Sequence, residues 1–342
     1  GGATALAELT VSAPGWDGAE ISRVTLHGAD ARVQLLVTET DAAGRITDQT
    51  RDAALTAKPS GLVRITDGLV EPLANGTGVI TATTRAGGTA TIPFEVKAVT
   101  AERPVNFANS VVPLFTKHGC NSGGCHGKSS GQNGFKLSLL GFEPQEDYEY
   151  LLREARGRRI FPAAPERSLL LLKATGQLPH GGGSRIDAGS FDYRMLVKWI
   201  RQGMPYGKPN DPKLELITVH PAERIMKPGA RQQLVVLARM SDGSIEDITH
   251  SAVYEANDRE YADADNTGLV TVGSHPGEIA VMVRYQDKAT VFRASIPLGV
   301  PVDKLPEEKN FVDKFIFAKL KTVGMPPSEL ASDSTYLRRV TL

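Results

Sequence analysis

The chain has 342 residues, with 39 basic and 39 acidic side chains and 41% hydrophobic residues. This composition is typical of a soluble protein of about two to four domains and argues against disorder. The charge is balanced and no basic block stands out, so we exclude nucleic acid as a partner. No apolar run reaches the roughly 18 residues of a membrane-spanning helix. Two cysteines are too few for a disulfide scaffold.

An internal repeat with an offset of about 199 residues organises the chain. Three segments recur in order: QLLV at 34–37 with QLVV at 233–236, GRITDQT at 44–50 with GSIEDIT at 243–249, and GLV at 68–70 with GLV at 268–270. Each copy consists of short runs of Val, Ile, Leu and Thr that Gly, Asp, Asn or Pro interrupt. This pattern predicts a small β-sandwich in each copy.

The shared motif G-x-I-x-D-x-T, followed by G-L-V and a glycine-led strand, resembles the bacterial Ig-like domain of group 2 over residues 19–99 and 213–299. The resemblance implies spacer or adhesion modules. Within the motif we expect Asp48, Thr50, Asp247 and Thr249 to hydrogen-bond the local backbone rather than to bind calcium.

Helical patterns occupy the region between the copies and the end of the chain. Asn106 and Ser190 are predicted to cap two amphipathic helices, and Gly203 is placed to end the second. Asn310 opens another helical pattern, and the pattern that starts at Asp333 is unfinished at Leu342. We therefore expect the natural protein to continue into another domain.

The segment Cys120-Asn121-Ser122-Gly123-Gly124-Cys125-His126 contains the pattern C-x4-C-H. In c-type cytochromes two cysteines attach haem and the histidine that follows becomes an axial iron ligand. The usual spacing is C-x2-C-H, and Gly123 and Gly124 make a longer loop sterically possible. The pattern also allows a Cys120–Cys125 disulfide, a zinc or copper site on Cys120, Cys125 and His126, or two unused thiols.

A second histidine, His180, lies in the loop Leu178-Pro179-His180-Gly181-Gly182-Gly183 before the Ser190 helix. A distal haem ligand occupies this position in a cytochrome, so His126 and His180 are the predicted iron ligands. Met204, Met195 and His118 are the competing choices. A solvent-exposed loop histidine is the alternative for His180.

Taken together, these segments resemble the cytochrome c-like domain of large secreted planctomycete proteins, which also carry Ig-like group 2 modules. Stretches 119–127, 131–139, 157–159 and 179–183, with Trp199-Ile200, carry the resemblance, and 311–342 resembles the start of a following domain of unknown function. The resemblance implies one covalent haem c, export to the periplasm or cell surface, and single-electron transfer. A redox partner protein or the following domains are the expected partners.

We therefore predict a multidomain α+β protein, in which two Ig-like β-sandwiches flank a mostly α-helical cytochrome c-like domain. The expected domains are a sandwich over 1–104, the haem domain over 105–210, a second sandwich over 211–300 and the start of a helical domain over 301–342. Electron transfer is expected rather than catalysis. Other predicted cofactor-binding residues are Arg158 and Arg159 for the propionates, with Phe135, Leu137 and Trp199 in the pocket.

Two other functions remain open from the sequence. One is a haem-based sensor or enzyme in which His180 leaves the iron and a ligand binds in its place. The other is a haem-free scaffold or adhesion protein in which Cys120 and Cys125 form a disulfide.

Overall fold

The computed structural model describes residues 8–341. Two groups of ten β-strands, over residues 8–97 and 214–296, are separated by a segment of short helices, and two further α-helices follow the second group. Within the described part of the chain, the strands form six sheets of three or four strands each. The molecule is therefore mostly β.

The first repeat, residues 8–97, contains strands β1 to β10. These are β1 (Glu8–Ser12), β2 (Val24–His27), β3 (Val33–Gln34), β4 (Leu36–Thr40), β5 (Ile46–Asp48), β6 (Ala54–Lys58), β7 (Val63–Thr66), β8 (Leu69–Pro72), β9 (Gly76–Thr83) and β10 (Thr89–Lys97). Their sheet orders are β1-β4-β5, β2-β10-β9-β6 and β3-β8-β7. Strands β2 and β10 run parallel.

Alternating apolar residues explain why these segments form strands. On β10, Ile92, Phe94 and Val96 are at most 3% exposed, whereas Thr91 and Pro93, which alternate with them, are exposed. The buried residues join one hydrophobic core with the other strands of the repeat. Each side chain of this size stabilises the fold by about 1.5–3 kcal/mol when it leaves water.

The second repeat, residues 214–296, has the same strand order as the first. Its strands are β11 (Leu214–His220), β12 (Glu223–Ile225), β13 (Arg231–Gln233), β14 (Val235–Met240), β15 (Ile245–Asp247), β16 (Val253–Ala256), β17 (Ala262–Ala264), β18 (Leu269–Val272), β19 (Gly277–Tyr285) and β20 (Lys288–Ile296). The sheets are β11-β14-β15, β12-β20-β19-β16 and β13-β18-β17, again with one parallel pair, β12 and β20. Every strand of one repeat has a counterpart in the other, which confirms the internal repeat.

The middle segment, residues 98–213, contains four short α-helices. They are α1 (Val112–Lys117), α2 (Pro144–Leu152), α3 (Leu169–Ala174) and α4 (Phe191–Arg201). A π-helical turn at Phe107–Val111 and 3₁₀ turns at Leu139–Gly141, Glu154–Gly157 and Pro165–Arg167 complete the helical residues. Asn106 and Ser190 accept hydrogen bonds from the main chain of the helical turns they precede, as their predicted capping roles require.

The predicted α+β fold with a mostly α-helical cytochrome c-like domain is wrong. Helical residues cover less than half of 105–210, and the molecule as a whole is mostly β. Glycine explains the shortfall between α1 and α2, because Gly119, Gly131, Gly134 and Gly141 all adopt positive φ angles that an α-helix does not accept. The domain boundaries of the sequence analysis stay a prediction.

A compact aromatic core holds the middle segment together. The Phe107 ring lies 5.3 Å from that of Trp199 and 5.2 Å from that of Tyr148, centroid to centroid. Trp199 is fully buried, and its indole nitrogen donates a 2.9 Å hydrogen bond to the carbonyl of Pro205. The segment therefore has its own hydrophobic core between the two repeats.

Two helices follow the second repeat: α5 (Phe311–Val323) and α6 (Asp333–Thr341). Asn310 caps α5 as predicted and forms a capping box with Asp313. None of the helices described between residues 8 and 341 combines the length and apolar character that crossing a bilayer requires.

Candidate functional site

The cysteine loop begins directly after α1. The amide of Cys120 donates to the carbonyl of Phe115 (2.8 Å), and the amide of His126 donates back to the carbonyl of Cys120 (2.9 Å). Gly127 packs against the same loop so closely that a Cβ there would lie 1.9 Å from the carbonyl oxygen of Asn121. The loop is thus a tight turn in which only glycine fits at position 127.

The two cysteines are free thiols in this structure, and both are half-buried. Burial raises the pKa of the Cys120 thiol to about 11, with a further contribution from neighbouring Cys125 and an opposing one from Arg185. At neutral pH the Cys120 sulfur is therefore protonated, and a protonated thiol is a poor nucleophile and a poor metal ligand.

The structure brings the two predicted iron ligands together. The imidazole rings of His126 and His180 lie 6.2 Å apart, centroid to centroid, with 10° between their planes. His126 Nδ1 is 3.0 Å from the carbonyl of Phe135, and His180 Nδ1 is 2.9 Å from the carbonyl of Gly183. Burial lowers the pKa of His126, so this imidazole is neutral at pH 7.

The predicted propionate ligands differ in their surroundings. Arg159 is 4% exposed, and its guanidinium donates to the carbonyls of Tyr150, Glu154 and Gly134. It also lies over the ring of Phe135, 4.5 Å from the centroid. These contacts engage the guanidinium within the protein, whereas Arg158 is exposed to solvent.

The remaining pocket candidates and competing ligands belong to other parts of the segment. Leu137 and Trp199 are buried in the core of the middle segment, and Met195 and Met204 pack against the same core. His118 Nε2 lies 2.8 Å from a carboxylate oxygen of Asp192. Among the described residues, His, Cys, Asp and Glu side chains nowhere form a group of three or more that could hold a metal ion.

A second site, the repeat interface, joins the two repeats through equivalent residues. The Gln34 amide donates to Asp247 Oδ2 (2.6 Å), and the Gln233 amide donates to Asp48 Oδ2 (2.5 Å). Because the offset of the sequence repeat is 199, these two hydrogen bonds are the same contact with the roles of the repeats exchanged. Such reciprocity is the mark of a two-fold interface.

A threonine in each repeat holds the interface aspartate in place. The other carboxylate oxygen of Asp48 accepts from the amide (2.9 Å) and hydroxyl (2.5 Å) of Thr50, and that of Asp247 accepts from the amide of Thr249 (2.9 Å). Each threonine hydroxyl also accepts from an amide of β4 or β14. The expected local hydrogen bonds are confirmed, but the contacts to the opposite repeat were not foreseen.

The side chains of the interface glutamines also have reciprocal partners. His250 Nε2 lies 2.8 Å from Gln34 Oε1, and Arg51 Nη2 donates to Gln233 Oε1 (2.7 Å). Position 250 corresponds to position 51 in the repeat. Both glutamines are completely buried, so neither amide has water as an alternative partner.

An arginine from each repeat completes the polar contacts. Arg231 donates to both carboxylate oxygens of Asp52 (3.0 and 2.9 Å), and Arg32 donates to the hydroxyl of Ser251 (2.9 Å). Positions 32 and 231, and positions 52 and 251, again differ by 199 residues. The first of these contacts is an ion pair and the second is not.

Apolar side chains fill the centre of the repeat interface. Leu36 on β4 contacts Val235 and Leu237 on β14, with Trp16 packed at the edge. Neighbouring residues on the same strands point the other way, into the core of their own repeat. Each strand therefore uses one face for its own sandwich and the other face for the opposite repeat.

The middle segment is bound to the same interface. Lys117 Nζ donates to Asp192 Oδ2 (2.8 Å) and to the carbonyl of His250 (2.7 Å), and the guanidinium of Arg32 lies 3.6 Å from the ring centroid of Phe191. Burial alone would raise the pKa of Asp192, but hydrogen bonds from His118 and Lys117 and the charges of Lys117 and Arg32 outweigh it and lower the pKa. Asp192 is therefore an anion at every physiological pH.

The position of His250 at this junction affects its protonation. Burial, together with the positive charges of Arg32, Lys117 and Arg51, lowers the pKa of His250 to about 3. A neutral imidazole therefore contacts Gln34, and a charged imidazole would meet three cations.

Several solved structures are similar to this chain at low identity. The S-layer protein SbsC matches with 14% identity and a TM-score of 0.23, covering 88% of this chain and 29% of that one. Domains 5 and 6 of SbsC match with 12% identity, a TM-score of 0.31 and coverage of 85% and 98%. The D00-D0 domain of intimin matches with 8% identity, a TM-score of 0.16 and coverage of 84% and 97%. TM-scores of this size do not establish a shared fold, and this chain spans less than a third of the longer SbsC structure.

No curated protein matches the sequence. The family that does match is the bacterial Ig-like domain (group 2), over residues 214–291. This match confirms the prediction for the second repeat.

The prediction of an electron-transferring c-type cytochrome is wrong. The family match is to an Ig-like domain and not to a cytochrome, the structure is mostly β, and no metal-holding cluster occurs among residues 8–341. The finer resemblance to planctomycete cytochrome proteins therefore has no support. Haem c as a cofactor, and the individual residues assigned to it, stay predictions that these findings do not test. What is established is that residues 214–291 are similar to the group 2 bacterial Ig-like domain, and that the first repeat has the same strand order.

Proposed function

We propose that this chain is an exported surface scaffold in which the repeat interface joins two Ig-like repeats into one rigid spacer. The reciprocal hydrogen bonds of Asp48 and Asp247 to main-chain amides of the opposite repeat are the observation that carries the proposal. Sandwich domains of the Ig type are common building blocks of cell-surface proteins, which supports export.

The physical argument for rigidity begins with what linked domains normally do. Domains of one chain move relative to each other unless a large, apolar interface holds them. Here Leu36, Val235 and Leu237 form an apolar centre, each at most 6% exposed. Separation of the repeats would expose these side chains to water.

Polar contacts around the apolar centre add to the cost of separation. Gln34 and Gln233 are fully buried and use both main-chain and side-chain atoms across the interface. An unpaired buried donor or acceptor costs about 1–3 kcal/mol. A partly opened interface therefore loses several hydrogen bonds at once, so the closed arrangement is strongly preferred.

The middle segment reinforces the same arrangement from the side. Lys117 connects α4 to the main chain of the second repeat, and Lys198 on α4 forms an ion pair with Asp30 of the first repeat. Tyr285 of the second repeat donates to the carbonyl of Asn109 (2.8 Å). Both repeats thus contact the segment that connects them.

The double variant Asp48→Ala/Asp247→Ala tests this function. We expect the unmodified chain to unfold in one thermal transition and the variant to unfold in two, with a larger radius of gyration in small-angle X-ray scattering. Asp242→Ala is the matched control, because Asp242 is exposed and bonds only within its own turn. An unchanged scattering profile and a single unshifted transition in the double variant would rule out the proposed spacer.

A further inference from the structure

We infer that the interface surface of the first repeat is self-complementary, so that a second copy of this chain can bind it when the second repeat is displaced. The inference rests on the proposed scaffold function. It names the partner that the surface fits, namely the same surface of another molecule.

The argument starts from the exchange symmetry of the contacts. Three types of contact occur twice, once in each direction: amide to aspartate, basic side chain to glutamine carbonyl, and arginine to the position of Asp52 or Ser251. The hydrogen bond from Arg51 to Thr267 occurs in one direction only. In a two-fold interface each side carries both halves of every contact. The first repeat carries both halves of each of these three contacts, namely Arg32, Gln34, Asp48, Arg51 and Asp52.

The contacts of a pairing between two first repeats can be read from the equivalent positions. The Gln34 amide of one copy meets Asp48 of the other, Arg51 meets the side-chain carbonyl of Gln34, and Arg32 meets Asp52. Each contact occurs twice. In the closed chain only one of the two arginine–position-52 contacts is an ion pair, whereas the homotypic pairing makes both of them ion pairs.

The second repeat lacks this full set. Ser251 occupies the position of Asp52, and His250 occupies the position of Arg51. Two second repeats would set Arg231 against a hydroxyl and would form no ion pair at these positions. The partner surface is therefore the first repeat, and we expect no homotypic pairing of the second.

The closed chain suppresses this association. Linkage within one chain holds the second repeat close to the surface of the first, so it competes with a separate molecule at a raised effective concentration. The homotypic pairing also has a smaller apolar centre, because Thr38 occupies the position of Leu237. Dimers are thus expected only after the second repeat has left.

The test uses the full chain with Val235→Glu and Leu237→Glu. Both side chains lie on the interface face of β14 and outside the sandwich core, so charges there displace the second repeat and leave the first unchanged. We expect the unmodified chain to be a monomer by light scattering at about 50 μM and the variant to have twice that mass. Adding Leu36→Glu should restore the monomer.

A charge exchange identifies the contact surface. In the variant Val235→Glu/Leu237→Glu, the added substitution Asp52→Arg should abolish the dimer, since it places a guanidinium group opposite Arg32 of the other copy. Further addition of Arg32→Asp should restore the dimer, because the ion pair is then reformed in the opposite direction. If the dimer persists unchanged after both substitutions, the association is non-specific and the inference is overturned.

The remaining outcomes separate the inference from the proposed function. An expanded monomer by scattering overturns self-complementarity and leaves the rigid spacer intact. A compact, unchanged monomer overturns both. If the variant Val235→Glu/Leu237→Glu loses the circular dichroism signal of its β-strands, Ser251→Arg replaces it in the experiment. This substitution places a second guanidinium opposite Arg32 and leaves the apolar centre unaltered. The same outcomes then apply.

Discussion

The two repeats share a strand order but differ in the residues that follow their interface aspartates. Arg51 and Asp52 follow Asp48 in the first repeat, and His250 and Ser251 occupy the equivalent positions after Asp247 in the second. The shared contacts involve main-chain amides, which any strand in this register presents. The contacts that differ are between side chains. The comparison teaches that main-chain contacts set the geometry of the interface, whereas side chains set its charge and its preference for a partner.

The largest expected effect comes from removing a shared contact. Asp247→Ala leaves the Gln34 amide without its acceptor in a buried site, and we expect a loss of about 3 kcal/mol in the free energy of unfolding. Asp48→Ala should lose a similar amount, within about 1 kcal/mol, since the contact is reciprocal. Urea unfolding measures both. A large loss in one and none in the other would show that the two-fold relation has no energetic counterpart.

A smaller effect concerns the acid sensitivity of the second repeat. The pKa of His250 is about 3 in the folded chain and about 6.5 when unfolded. The folded state therefore binds fewer protons, so the stability from neutral His250 is complete above pH 6.5 and is lost as the pH falls towards 3. Burial raises the pKa of Asp48 and Asp247, which acts in the opposite direction near pH 4.

His250→Gln keeps a donor for Gln34 and removes the titration. Between pH 6 and 4.5 we expect the free energy of unfolding of the unmodified chain to fall by about 1 kcal/mol per pH unit more than that of the variant. His275→Gln, at an exposed position of the same repeat, is the control. Parallel pH profiles for the unmodified chain and His250→Gln would contradict the role of His250.

The smallest effect should be a gain. Ser251→Asp gives Arg32 the carboxylate that Asp52 provides for Arg231, and we expect about 0.5–1 kcal/mol of added stability. Thermal unfolding at low ionic strength measures it, and the gain should shrink in high salt. Destabilisation would show that the two arginine sites are not equivalent.

Local signals in the sequence predicted local structure well. Asn106, Ser190 and Asn310 cap helical turns as expected, because a short polar side chain before an apolar pattern satisfies amides that the helix cannot. The 199-residue offset predicted the matching sheets, since equal spacing of turn residues and apolar runs produces equal strands.

The same sequence signals could not predict the long-range contacts between the repeats. The Asp-x-Thr motif indicates a local turn, and nothing in its spacing shows that the second carboxylate oxygen reaches another repeat 200 residues away. The C-x4-C-H motif had the opposite weakness. It describes covalent chemistry over seven residues and carries no information on the fold around it. The helical haem domain that we inferred from it was therefore wrong.

One ion pair has a consequence for the loops of the middle segment. Asp192 lies in the first turn of α4 and binds Lys117 at the end of α1. The chain enters the cysteine loop three residues after Lys117, and the loop of His180 leads into α4. Both loops are thus next to the buried ion pair of Lys117 and Asp192, and Lys117 also donates to the second repeat at the carbonyl of His250. We therefore expect displacement of the second repeat to disturb the loops of His126 and His180 together.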